Sequence, residues 1–214
     1  MYENLFSPIL DIWTAKRLRT EGYYQISPIN PKIQEFQLWL PGNGAFQRKR
    51  MRGELEPEVL DLLVNHISPG DTVFDVGSAW GYFALAISTL DTDVYAFEID
   101  EERVRHIEES AERSDLSVTA TAGAVGTEIL LDEYPTPDVV KMDIEGWEYK
   151  ALVTAPNLLR AKPTLIIELH SPDVSLAGSH SAEISEIYTL LEEYGYDITE
   201  LDKRGDNNYH ILAQ

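Results

Sequence analysis

Two short stretches of this chain space acids and bases as if for chemistry. Val140-Lys-Met-Asp-Ile-Glu-Gly-Trp-Glu148 sets Lys141, Asp143 and Glu145 two residues apart, so an extended backbone carries all three on one face. Ile166-Ile-Glu-Leu-His170 does the same for Glu168 and His170. A glutamate inside an apolar strand is costly to bury without a partner, so Glu168 and His170 read as site residues at a strand's carboxyl end. Lys141 must be paired, with Asp143, Asp75 and Glu168 as candidates, and it fits a structural ion pair as well as a site role. Two chemistries suit Lys141, Asp143, Glu168 and His170. In one, His170 or a carboxylate takes the proton of a hydroxyl, typically worth about 10²–10⁴ in rate. In the other, Asp143, Glu168 and His170 hold a divalent ion that lowers the hydroxyl pKa. Oxygen-rich ligation would then favour magnesium or manganese over zinc. Positioning alone can supply about 7–11 kcal/mol, so neither device is obligatory, and the metal-free version is preferred.

A second constellation concerns a bound nucleoside. Asp75-Val-Gly-Ser-Ala-Trp-Gly81 follows the apolar Thr72–Val76. Gly77 and Gly81 bracket a turn where a side chain would block close approach of a ligand to the backbone. The amides opening the next helix favour a carboxylate or phosphate. The spacing is not G-x-G-x-x-G, and Asp75 would repel a pyrophosphate while pairing with an ammonium. A ligand carrying both carboxylate and ammonium matches the methionine part of S-adenosylmethionine (SAM). About twenty residues on, Glu98 ends a second strand, where a carboxylate accepts hydrogen bonds from ribose hydroxyls. Ile99 would pack on adenine. The candidate cofactor residues are Asp75, Gly77, Ser78, Gly81, Phe83, Glu98, Ile99, Ala124 and Asp143. Trp80 inside the turn would narrow or shield the site.

These residues need rigid elements beneath them. Pro57 suits the first turn of a helix running to Ile67, with Val59, Leu60, Leu63 and Val64 on its apolar face. Strands are expected at 72–76, 94–99, 118–125, 138–144 and 164–170. Helices are expected at 80–90, 100–113 (Asp100 as N-cap), 145–155 and 182–194. Two closing strands, 196–201 and 209–213, are joined by a short loop and must pair antiparallel. Strands alternating with helices imply a doubly wound, mostly parallel Rossmann-like α/β sheet of about seven strands. Its terminal hairpin breaks the alternation, and ligands should lie beyond the strands' carboxyl ends. The first fifty-odd residues read as irregular, with a short helix over 9–20 and a strand over 33–40.

Charge divides the chain at the same place. The net charge is −20, yet residues 1–53 carry +4 and residues 54–214 carry −24. With only seven lysines, this composition resembles a salt-adapted protein, because molar salt shortens the Debye length to about 3 Å and screens self-repulsion. An acidic body argues against nucleic acid as a partner. The absence of cysteine excludes disulfides, thiolate catalysis and cysteine-ligated zinc. No apolar run reaches the roughly eighteen residues of a membrane span, and no charged-then-apolar leader is read, so the expected location is cytoplasmic.

Together, Asp75–Phe83, Tyr95–Glu98, Val140–Glu148 and Ile166–His170 resemble the FkbM-type methyltransferases, a class I SAM-dependent family. The resemblance runs from about Glu56 to His170, and Lys-x-Asp-x-Glu-Gly-x-Glu is its most specific part. It implies methyl transfer, commonly to oxygen of a sugar or another small metabolite. Residues 54–214 would form the SAM-dependent domain, and residues 1–53 an extension on the substrate side. There, Arg48-Lys-Arg-Met-Arg52 is either a solvated loop or a clamp for an anionic acceptor such as a phosphorylated or uronic sugar. Tyr24, Trp39 and Phe46 would either stack on that acceptor or pack the extension onto the domain. The rival readings are a non-catalytic nucleoside-binding module and a nicotinamide-dependent oxidoreductase.

Overall fold

The computed structural model describes residues 20–42, 44–171, 183–203 and 208–214. A seven-stranded sheet in the order β5-β4-β3-β6-β7-β9-β8 forms the centre. Its strands are β3 (Thr72–Val76), β4 (Asp93–Glu98), β5 (Val118–Ala122), β6 (Val139–Met142), β7 (Thr164–His170), β8 (Ile198–Lys203) and β9 (Asn208–Ala213). Pairing is parallel from β5 to β7 and antiparallel at β7–β9 and β8–β9. The expected doubly wound sheet with its terminal hairpin is therefore present. Val139–Met142 is buried throughout, and β7 is buried from Leu165 onward, as central parallel strands covered on both faces should be.

Each face has its own apolar layer. One gathers α2 (Pro57–His66), α3 (Tyr82–Ser88) and α4 (Glu101–Ser114) around Leu60, Leu63, Leu85 and Ile107. The other gathers α5 (Glu148–Val153), α6 (Pro156–Ala161) and α7 (Ile184–Glu193) around Leu152, Leu159, Ile187 and Leu191. Asp100 caps α4 as expected, accepting from the amides of Glu102 and Arg103.

Several boundaries move for backbone reasons. The helix expected over 80–90 is only Tyr82–Ser88, because Ala79 (φ 49°) and Gly81 (φ 83°) are left-handed. The helix expected from Glu145 starts at Glu148, because Glu145 (φ 56°) and Gly146 (φ 103°) form a turn. It ends before Pro156, which opens the unforeseen α6 at its first position. The third strand stops at Ala122, ahead of Gly123.

The N-terminal region is more ordered than its composition suggests. Gly22–Ile26 (β1) and Phe36–Leu40 (β2) form an antiparallel hairpin, so the strand expected over 33–40 is shorter and has a partner. Ile26, Phe36, Leu38 and Leu40 join the apolar layer of α2–α4. The β2 edge docks on α4 through the serines of that helix. The Gln37 amide donates to Ser114 Oγ at 2.8 Å and the Trp39 amide to Ser110 Oγ at 3.2 Å. The basic stretch is a helix rather than a loop, α1 (Ala45–Met51). The helix expected over 9–20 falls almost entirely outside the described residues.

Candidate active site

Strand register puts the reactive residues side by side. Asp75 on β3 lies opposite Lys141 on β6, and Glu168 on β7 lies opposite His210 on β9. The Asp143 amide extends the β3–β6 ladder by bonding to Val76 O at 2.9 Å. A cleft of about 700 Å³ opens beyond the carboxyl ends of β3, β4 and β6, where the strand order reverses direction, and α1 lies along one side.

One end of the cleft is shaped for a nucleoside. Glu98, 5% exposed, lines it, with Oε2 accepting from the Ala79 amide at 2.8 Å and Oε1 from the Asp100 amide at 3.2 Å. Its oxygens keep further lone pairs for ribose hydroxyls. Ile99, 69% exposed, faces the same space as Ala124 and Val125 and leaves an apolar slot for a base. Ser78 lines the cleft, but its hydroxyl is tied to Asp75 O at 2.7 Å. Trp80 sits at the mouth, under the Arg103 guanidinium at 5.4 Å, and Arg103 reaches Glu98 at 3.4 Å. Behind Trp80, His106 stacks on Trp39 at 4.0 Å, which connects the cleft rim to the N-terminal hairpin. Burial lowers the His106 pKa, with Arg105 adding to the effect.

The two glycines act differently from the expectation. A Cβ on Gly77 (φ 83°) would lie 1.8 Å from Asp143 O, and one on Gly81 (φ 83°) would lie 2.8 Å from Ile107 Cγ1. They permit close passage of the protein past itself, and ligand approach follows from that. Asp75 lies deeper than the glycine turn. It is fully buried, does not line the cleft, and accepts from the Ala84 amide at 3.0 Å. The ammonium beside it in the structure is that of Lys141, at 3.4 Å, one of the pairings expected for that lysine. Burial pushes the Asp75 pKa up, with Lys141 opposing. Lys141 does line the cleft, 3.9 Å from Asp143 and 5.2 Å from the centre of the Phe83 ring. Burial alone would lower its pKa, but Asp75 and Asp143 raise it, and it stays charged.

Asp143 and Glu145 border the cleft, whereas Glu168 and His170 sit behind them. His170 Nε2 is 3.9 Å from Asp143, 3.5 Å from Glu145 and 4.0 Å from Glu168. Its Nδ1 bonds to Glu148 Oε1 at 3.1 Å. Desolvation would lower the His170 pKa, but the Glu148 bond and the surrounding carboxylates take it up to about 9. Glu148 went unassigned in the sequence. It is buried at the start of α5 and also accepts from the Gly146 amide at 3.0 Å and the Ile144 amide at 3.3 Å. Its signal was a glutamate two residues past a glycine on an otherwise apolar helix face.

Opposite this cluster, α1 contributes Arg50. Its Nη1 donates to Gln47 at 2.7 Å, while its buried Nε has no hydrogen-bond partner among the described residues. Burial lowers its pKa. Tyr82, 1% exposed, lines the same space with an unpartnered hydroxyl whose pKa burial raises. Arg48, the other expected clamp residue, does not line the cleft. Phe46 lines it and is largely exposed, whereas Tyr24 and Trp39 belong to the hairpin packing.

Residues 62–198 match the family described as the methyltransferase FkbM domain. The chain is 28% identical to the hexuronic acid methyltransferase AglP of Haloferax volcanii, over 73% of this chain and 76% of that protein. Among solved structures, the magnesium protoporphyrin IX methyltransferase of Synechocystis with bound SAM aligns with TM-score 0.56 and 17% identity, over 81% of this chain and 86% of that one. The precorrin-6y C5,15-methyltransferase of Geobacter metallireducens gives 0.56 at 15% identity, over 74% and 88%. Trm5b of Pyrococcus abyssi gives 0.61 at 17% identity, over 91% of this chain but 55% of that one. At these identities the structural likeness concerns the fold.

Proposed function

The chain belongs to the FkbM methyltransferase family and is a SAM-dependent methyltransferase, and on that premise we propose that its acceptor is a carboxylate-bearing sugar. SAM supplies a methyl group made electrophilic by its sulfonium. Glu98 is assigned to the ribose hydroxyls, and the Ile99–Ala124–Val125 slot to adenine. Gly77 and Phe83 shape the wall between that slot and Asp143, Gly81 lets the following helix pack on Ile107, and Asp75 fixes Lys141 from beneath. Asp143 then lies at the transfer end, where its carboxylate accepts the proton of an acceptor hydroxyl, with His170 and Glu168 behind it to hold its orientation.

The observation that carries the acceptor reading is that Arg50 and Tyr82 line the cleft while the buried Arg50 Nε and Tyr82 hydroxyl have no hydrogen-bond partner among the described residues. A buried guanidinium edge beside a phenol suits a carboxylate. The hexuronic acid named for the Haloferax relative carries that group. On this reading residues 20–53 form the acceptor side of the cleft. The test compares a hexuronic acid with its uncharged hexose. Arg50→Gln should raise KM for the uronate at least tenfold and leave SAM affinity within threefold. If instead SAM affinity falls and the two sugars are treated alike, Arg50 serves the cofactor and the proposal fails.

A further inference from the structure

Three donor atoms converge beside the acceptor space. One carboxylate oxygen each of Asp143 and Glu168 and a ring nitrogen of His170 lie within 4.8 Å of one another. Asp143 follows β6, while Glu168 and His170 come from one face of β7, so the set stands on paired strands at the sheet's centre. Glu168 and His170 are both buried.

A surrounding layer holds these donors in place. The Nδ1 of His170 is engaged by Glu148 at 3.1 Å, which directs Nε2 towards Asp143 and Glu168. Glu148 is itself fixed by the amides of Ile144 and Gly146. A carboxylate behind a histidine in this way sets the tautomer of a metal ligand and raises its basicity. On the far side, His210 Nε2 stands 3.5 Å from Glu168 Oε2 and orients it.

Charge is an independent argument. Asp143, Glu145, Glu148 and Glu168 all lie within 4.0 Å of the one imidazole. Lys141 is already divided between Asp75 and Asp143. Four carboxylates gathered around one ring, with Lys141 and His210 at the edges, concentrate acceptor oxygens in a buried place, where a divalent cation is attracted.

We infer that Asp143, Glu168 and His170 form a divalent-cation site of the magnesium or manganese type, with its open positions towards the cleft. Two carboxylates and one imidazole are an oxygen-rich set for a hard ion. Metal–oxygen distances of about 2.1 Å require the carboxylates to draw together by a few tenths of an ångström. Asp143 and Glu145 border the cleft, so water or an acceptor oxygen would complete the coordination there. The use of the ion in methyl transfer rests on the proposed function, but its binding does not.

The test is Mn²⁺ titration of the EDTA-stripped full chain, read by loss of the free-ion electron paramagnetic resonance signal. SAM affinity is measured in parallel by calorimetry. One tight equivalent is expected, displaced by Mg²⁺ and weakened at least tenfold by Glu168→Gln and by Asp143→Asn. Glu148→Gln should weaken it roughly 10- to 100-fold while leaving the ligands themselves intact. Absence of stoichiometric Mn²⁺ binding in protein that binds SAM would overturn the site. So would binding that none of the three variants alters, which would be diffuse attraction to an acidic surface. Loss of SAM binding with Mn²⁺ binding intact would overturn the cofactor assignment and leave the cation site standing.

Discussion

Replacing Glu98 by glutamine isolates the cofactor assignment. Each Glu98 oxygen already accepts one amide, from Ala79 at 2.8 Å and from Asp100 at 3.2 Å. Oε2 has capacity for one more bond from the cleft, while Oε1 also meets Arg103 Nη1 at 3.4 Å, a long contact that the second ribose hydroxyl would replace. Hydrogen bonds to a charged group are worth about 1.5–3 kcal/mol each. In the amide, one oxygen becomes an NH₂ that accepts nothing, and the other loses its charge. The expected loss is about 2–3 kcal/mol, or roughly 30- to 150-fold in Kd. Calorimetry with both SAM and its demethylated product should show the same loss, because the ribose is common to both. The substitution also sets an NH₂ against a backbone N–H, so the unliganded protein should melt a few degrees lower. Glu98→Asp keeps the charge but retracts it by one methylene, and it should weaken both ligands as well. A folded Glu98→Gln protein with Kd within threefold of the parent would refute the ribose assignment.

Two further outcomes follow from backbone geometry and charge. Gly77→Ala places a Cβ 1.8 Å from Asp143 O in a left-handed conformation, so β3 and β6 must separate at the cleft. Left-handed strain of about 1–2 kcal/mol plus overpacking of about 1–3 kcal/mol should show in urea unfolding, and a loss under 1 kcal/mol would contradict that geometry. The charge of −24 over residues 54–214 implies that stability climbs from low to molar KCl. Equal unfolding midpoints across that range would rule out salt adaptation.

The sheet was legible because buried parallel strands are short apolar runs, and Thr72–Val76, Val139–Met142 and Thr164–His170 are such runs separated by amphipathic helices. The hairpin and α1 were not. Phe36–Leu40 alternates, but its partner Gly22–Ile26 is only partly buried and does not show a clean period of two. What holds β2 is Ser110 and Ser114 of α4, more than seventy residues away, and local pattern carries no trace of that. Helix α1 is seven residues long with three consecutive basic side chains, too short for periodicity to separate it from a charged loop. Trp80 belongs with these cases. Its place against Arg103 and His106 is set by α4 and the hairpin, and only the assembled fold gives it a role at the mouth.

Residue type and spacing nominate the candidate site residues, and strand register adds which of them lie side by side. The sequence offers Asp75 both as a ligand-facing acid and as a partner for Lys141, because it shows which residues are two apart and not which lie across a strand pair. Pairing Asp75 with Lys141 and Glu168 with His210 converts separate motifs into one chain across β3, β6, β7 and β9. Asp75, Lys141, Asp143, His170, Glu168 and His210 follow one another at 3.4–4.0 Å, acids alternating with lysine or histidine. Removing one member of a buried pair strands the other charge at about 3–5 kcal/mol. Alanine at any of these positions therefore tests folding as much as chemistry. Isosteric amides change the charge and keep the packing, and double-mutant cycles are needed to divide the network into pairs. A network of this kind explains why Lys141, exposed to the cleft at one end and anchored on Asp75 at the other, serves structure and site at once.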